Sequence, residues 1–164
     1  MNKYLRITTK DDIDFLAPNL RQADINECLA ATGCKPHGIM LEGLKMGDKT
    51  LTMVAPTGTP VGLLGVGKSM IEGAGSIWLL ATDDIEKYQI TFLRHSKKVL
   101  KELQQDYLAL HNYVDARNSL HIKWLKWMGF TFINKLDRFG VEQRPFYEFV
   151  RITNVCTSSS STSR

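Results

Sequence analysis

The stretch that most constrains this chain runs from Leu108 to Phe130. Leu108 to Val114 reads as a strand, with Leu108, Leu110, Tyr113 and Val114 as its apolar residues. Asn118 is a residue type that caps helices, and His121, Trp124, Leu125 and Met128 recur at helical spacing. Gly129 follows where left-handed backbone ends a helix. A strand delivered into a capped helix belongs to a layered α/β domain, in which the helix lays its apolar stripe back on the sheet.

The rest of the chain fits that frame. Tyr4 to Thr9 alternates like a first strand. Asp11 and Asp12 can cap a turn carrying Ile13, Phe15 and Leu16, which Pro18 interrupts. A second helix is expected from Asp24 to Ala31, ending at Gly33. Cys34 to Asp48, with Pro36, Gly38, Gly43 and Gly47, reads as irregular. Leu51–Ala55 and Pro60–Val66 flank the turn 56–59 as a hairpin, and 67–75 is a loop. Ser76 to Thr82 is a buried central strand, and Asp83 and Asp84 favour the start of a helix whose periodicity is clear from Ile90 to about Gln105. Thr131–Asn134 and Phe146–Ile152 are the last strands. The order is β, α, α, β, β, β, α, β, α, β, β, with no repeat or linker. Residues 1–154 therefore form one domain, and the Ser/Thr-rich 155–164 is a disordered tail.

With 164 residues, 43% apolar and 23% charged, the chain is an ordinary globular one with enough length for a core. No apolar run approaches the roughly 18 residues of a membrane span, and Met1 to Tyr4 lacks the apolar core of a signal peptide. Cys28, Cys34 and Cys156, odd in number and scattered, suit a reducing compartment. The net charge of +4 permits a phosphate-bearing partner without demanding one.

Two motifs invite chemistry and are read blandly. Gly62 to Ser69 matches G-x-x-x-x-G-K-[ST], but a phosphate loop needs a helix directly after Lys68, and Gly73 and Gly75 stand there instead. Cys28, Cys34 and His37 are not at a usual zinc spacing and lack a fourth ligand nearby, so no metal is expected. His121 is a possible base, or a histidine packed on the sheet. Asp83, Asp84 and Glu86 offer a general base, or simply a helix start. Arg94, Lys97, Lys98 and Lys101 form a solvated face or a phosphate-holding one. No aromatic residues alternate with these charges, so nucleic acid is not the expected partner.

The element order, the segment Val114–Phe130 and the hairpin around Gly58-Thr59-Pro60-Val61-Gly62 resemble the GNAT superfamily of N-acetyltransferases. That resemblance implies a mixed α/β GNAT-like fold, a mostly antiparallel sheet flanked by helices, with acetyl-CoA as cofactor. A narrower likeness rests on Ile77–Asp83, Phe92–Ser96, Asn112–Asn118, His121–Lys126 and Pro145–Phe149. These are similar to a phage family described as internal virion proteins of short-tailed phages or as acetyltransferases. It implies a product of the infected bacterial cytoplasm or the virion, with other virion proteins or a host protein as partners.

Two departures matter. Active family members carry a glycine-containing R/Q-x-x-G-x-G/A loop that grips the CoA pyrophosphate, and this chain has no glycine between Gly75 and Gly129. Many carry a tyrosine where Leu125 stands, to protonate the departing thiolate. The first expectation is thus a GNAT-like phage protein with a degenerate acetyl-CoA site. The alternative is an active N-acetyltransferase acting on an amine. In it, Leu79–Asp83 (with Leu80, Ala81 and Thr82) and Leu110–Asp115 would hold the pantetheine arm. Arg94, Lys97, Lys98 and Asn118 would assist. Asp83, Asp84 or Glu86 would be the base, and Tyr113 or His121 the acid. A nucleotide site at Gly62–Ser69 is third.

Overall fold

One seven-stranded sheet organises the molecule, in the order β1-β2-β3-β4-β5-β7-β6. Its strands are β1 (Leu5–Ile7), β2 (Lys49–Val54), β3 (Pro60–Lys68), β4 (Ala74–Ala81), β5 (Ala109–Asp115), β6 (Thr131–Phe139) and β7 (Arg144–Ile152). The structure is a computed structural model that describes residues 3–46 and 49–153; the expected tail and Cys156 lie outside the described residues. All neighbours are antiparallel except β4 and β5. A parallel pair needs a crossover, here the helix α4 (Ile85–Leu103). The expected mixed, mostly antiparallel α/β architecture is the observed one.

Helices α1 (Lys10–Leu16), α2 (Gln22–Thr32) and α3 (Pro36–Lys45) cover one face. Ile13, Leu16, Leu20, Cys28 and Met40 pack there with Leu63 and Leu80. The other face carries α4 and α5 (Ser119–Trp127). Phe92, Val99, Leu100 and Leu103 of α4 meet Trp124 and Leu125 of α5 over Ile77, Leu110 and Val114. Their spacing is the apolar stripe of an amphipathic helix.

Several local readings need correction. The cap of α1 is Thr9, not Asp11 or Asp12. Thr9 Oγ1 accepts the Asp12 N–H, and the Thr9 N–H donates to the Asp12 carboxylate. The stretch read as irregular contains α3, whose Pro36 at the first turn needs no N–H and whose Met40 is fully buried. Its glycines lower propensity, but packing on α1 decides. α4 starts at Ile85, five residues before its periodicity becomes clear, because fully buried Ile85 already anchors it. β6 runs to Phe139, beyond the expected Asn134. It is an edge strand, mostly exposed, whose Lys135, Asp137 and Arg138 hide the period-2 signal.

The glycine motif at 62–69 is the interior of β3 and the start of the loop after it. A Cβ on Gly65 would sit 2.3 Å from the Trp78 ring, so close packing explains this glycine. The glycine stop of α5 is a full Schellman closure. Gly129 (φ 86°) donates to Lys126 O and Phe130 donates to Leu125 O.

Candidate functional site

The ladder between β4 and β5 is short. It holds Ala74, Gly75 and Ser76 against Ala109, Leu110 and His111, then stops. Past that point the strands part, and their facing backbone groups need other partners. Asn112 spans the base of the gap, its Nδ2 donating to Ile77 O at 2.7 Å. The mouth is bridged by α2 and the residue before it. The Arg21 N–H donates to Ala81 O at 2.8 Å, and the Ala81 N–H donates to Asp24 Oδ2 at 2.9 Å. One turn later, Glu27 Oε2 accepts the Asp115 N–H at 2.9 Å. Between these, Leu79 turns its N–H and C=O into the gap by strand alternation, beyond the end of the ladder.

A cavity of about 280 Å³ occupies the parting. It runs through the sheet, from the exposed Thr32 and half-buried Ile39 of α2 and α3 to the fully buried Leu100 of α4. Most of its wall is aliphatic or aromatic; Glu27, Asn112, Tyr113 and His121 are its main polar groups. The volume lies near the lower end of small-molecule sites.

Glu27 is the unusual group. It is half-buried and forms part of the cavity lining. Burial pushes its pKa up to about 8; the Asp115 N–H holds it back, and the charge of Asp24 adds to the rise. Burial likewise pushes the Cys28 thiol up to about 12, with Glu27 and Asp24 adding to it, which makes it a poor nucleophile. Tyr113 is raised by burial and then by Glu148, so its phenol keeps its proton at neutral pH.

Behind the cavity Asn118 ties the helices together. Its Oδ1 accepts from Arg21 Nη2 at 3.1 Å. Its Nδ2 faces Asp24 Oδ1 at 3.1 Å, Glu27 Oε2 at 3.2 Å and His121 Nδ1 at 3.1 Å. Two amide protons therefore serve three acceptors. Nδ1 of His121 is an acceptor in this arrangement, which leaves the ring proton on Nε2. Nε2 lies 3.5 Å from Asp24 Oδ1 without a hydrogen bond. Burial lowers the His121 pKa to about 4; Asp24 opposes the shift and Arg21 adds to it. The ring is neutral at physiological pH. Arg21 is itself buried, paired with Asp24 at 2.7 Å and stacked over Trp124.

The residues expected from sequence divide between two regions. Tyr113 and His121 line the cavity together with Leu80. Asn118 is the hub. It occupies the cap position of α5 without a side-chain cap bond, because its amide is already engaged by Arg21, Asp24, Glu27 and His121. The Ala81 backbone is taken by α2, and the Thr82 N–H donates to Val61 O. Asp83, Asp84 and Glu86 are exposed at the start of α4, outside the cavity lining. Asp84 makes no cap bond and pairs with Lys87 at 2.6 Å. The amides of Ile85, Glu86 and Lys87 already donate to Thr82 O, Asp83 O and Asp84 O. Arg94, Lys97 and Lys98 are exposed, roughly 13–20 Å along the axis from Ile85 at about 1.5 Å per residue. Lys97 lies over the Trp127 ring. His37 bonds Asp14, Cys28 is buried and Cys34 exposed. Among the described residues no cluster of three or more His, Cys, Asp or Glu could hold a metal, and no helix is long and apolar enough to cross a membrane.

Arg21, Asp24 and Glu27 escaped the sequence reading. Their i, i+3, i+6 spacing marks one helix face, but such a face is ordinarily the solvated one.

No protein-family model matches the sequence, and no curated protein does. Solved structures do match. An N-acetyltransferase from Staphylococcus aureus Mu50 superposes with a TM-score of 0.69 at 14% identity, over 93% of this chain and 99% of that one. Ard1 from Thermoplasma volcanium gives 0.67 at 18%, over 91% and 96%. A GNAT-family acetyltransferase from Streptococcus pneumoniae gives 0.61 at 12%, over 91% and 98%. The fold is thus the GNAT acyl-CoA N-acyltransferase fold.

Proposed function

We propose that this chain is a GNAT-type N-acyltransferase whose acyl donor lies in the parting of β4 and β5, with Glu27 as the general base. The observation that carries this reading is the Glu27 carboxyl in the lining of a cavity between parted strands of this fold, where burial pushes its pKa up to about 8. A base works best with a pKa near the working pH. Acyl-CoA, when bound, supplies a thioester carbonyl open to an amine and a thiolate leaving group. Glu27 takes the proton the acceptor ammonium must lose. Tyr113, still protonated, is the group able to give a proton to the thiolate. Neutral His121 has no spare proton to give, and it positions Asn118 and through it Glu27. Leu79 N–H is the backbone donor for a carbonyl oxygen.

The fit divides along the donor. The apolar parting suits an acyl-pantetheine arm. The start of α4 does not suit a pyrophosphate, since its first-turn amides are already bonded and Asp83, Asp84 and Glu86 repel anions. That observation favours a second reading, in which the fold serves as a scaffold in virion assembly or in contact with a host protein.

Calorimetry with acetyl-CoA and acetyl-pantetheine tests both. The enzyme reading expects binding of both within about tenfold, and release of thiol with an amine acceptor that rises with pH through about 8 and is lost in Glu27→Gln. No heat from either ligand up to millimolar concentration sinks the enzyme reading and leaves the scaffold.

A further inference from the structure

Two buried N–H groups of the cavity lining have no hydrogen-bond partner among the described residues: Nε2 of His121 and Nε1 of Trp124. Buried donors are ordinarily paired, so each asks for an acceptor. Trp124 is 2% exposed and His121 5%. They stand three residues apart on α5, with ring centroids 5.7 Å apart. Packing fixes both rings. The indole lies 5.9 Å from the Arg21 guanidinium and 6.0 Å from the Phe92 ring. Asn118 holds His121 at Nδ1. Asp24 Oδ1, 3.5 Å from His121 Nε2, already accepts from Arg21 Nη2 and Asn118 Nδ2.

An indole N–H only donates, and the tautomer of His121 makes Nε2 a donor as well. The missing partner is therefore an acceptor, and a neutral one. Arg21 is already balanced by Asp24, and a buried anion without a cation of its own is costly. We propose that His121 Nε2 and Trp124 Nε1 bind an amide carbonyl of the acyl donor's pantetheine arm. This rests on the acyltransferase reading, and it supplies the polar anchor of an arm that lies in an otherwise apolar cavity. Asn118 alone links His121, at 3.1 Å, to Glu27, at 3.2 Å. That short chain is on the scale of the few bonds between a thioester sulfur and the first amide of the arm. Both donors are stripped of water before the arm arrives, so the new bonds carry no desolvation penalty on the protein side.

The test is NMR of the indole N–H protons of the whole chain with acetyl-pantetheine, alongside calorimetry. Trp78 also lines the cavity and Trp127 is exposed, so Trp78→Phe, Trp124→Phe and Trp127→Phe assign the three indole protons. The expected result is a downfield move of the Trp124 Nε1 proton at saturation, with Trp127 unmoved. Trp124→Phe keeps an aromatic ring against Arg21 and loosens acetyl-pantetheine by about tenfold. An alkyl thioester without an amide shows no difference between the two proteins. Should the variant fail to fold, the wild-type indole shift decides. Acetyl-pantetheine bound with the Trp124 proton unmoved, or with that proton contacting a buried water before and after binding, overturns the inference and leaves the acyltransferase reading intact. Unchanged affinity in a folded Trp124→Phe does the same. Failure of every thioester to bind removes both.

Discussion

Replacing Glu27 by glutamine isolates what it costs to keep a carboxyl in this cavity. Burial pushes the carboxyl up to about 8 in the folded chain from an ordinary 4.5. The difference, 8 − 4.5 = 3.5, corresponds at about 1.36 kcal/mol per unit to an upper bound of roughly 5 kcal/mol. Water admitted to the cavity reduces it, and we expect about 2 to 3 kcal/mol. The sign follows from proton uptake. Below pH 4.5 the group is protonated in both states and contributes no difference. Between 4.5 and 8 the unfolded chain releases its proton while the folded chain holds it, so stability falls as pH rises. Above 8 the loss is complete. Glutamine keeps an oxygen for the Asp115 and Asn118 donors and carries no charge. The variant should match the wild type near pH 4.5 and exceed it by about 2 to 3 kcal/mol at pH 9. His121 acts in the opposite sense: with its pKa lowered from 6.5 to about 4, it removes stability as pH falls through that window. Both proteins carry that acid limb, so it cancels in the difference. Urea unfolding followed by tryptophan fluorescence at pH 4.5, 6, 7.5 and 9, with m unchanged, gives the comparison. A constant offset between the two proteins across this range would refute the reasoning, as would a variant less stable than wild type at pH 9.

Two further perturbations probe the frame around the site. Asn118→Leu strips the amide from Arg21, Asp24, Glu27 and His121 at once, and should cost about 3 to 5 kcal/mol, because buried charges lose partners; a cost below about 1 kcal/mol by urea unfolding would mean the hub is not formed. Gly140→Ala meets a left-handed φ of 68° and the backbone of α2, with a Cβ 2.4 Å from Ala30 O. It should lose about 1 to 3 kcal/mol, read as a fall in Tm of roughly 3 to 10 °C, and an unchanged Tm would contradict the close approach of the β6–β7 turn to α2.

Much of the fold was legible because its signals are local. The hairpin at 51–66, the apolar run at 76–82 and the glycine stops at Gly33 and Gly129 each depend on a few neighbouring residues. α3 was obscured by Gly38 and Gly43, since its stability comes from contact with α1 rather than propensity. β6 was obscured by its edge position, where Lys135, Asp137 and Arg138 interrupt the apolar alternation.

The site divides in the same way. From the hairpin onward the sequence alone determined the strand-helix order, with the helix between β4 and β5 that a parallel pair needs, and it brought Tyr113, Asn118 and His121 forward because they lie on β5 and α5. The lack of glycine after β4 was likewise plain in the sequence. Only the tertiary structure decided that α2 bridges the parted strands. Arg21, Asp24 and Glu27 meet Asn118 and Asp115 across separations of 88 to 97 residues. A carboxyl on a polar helix face looks the same in sequence whether it meets water or a cavity. The shift of Glu27 comes from desolvation, and desolvation belongs to the packed surroundings rather than to the residue.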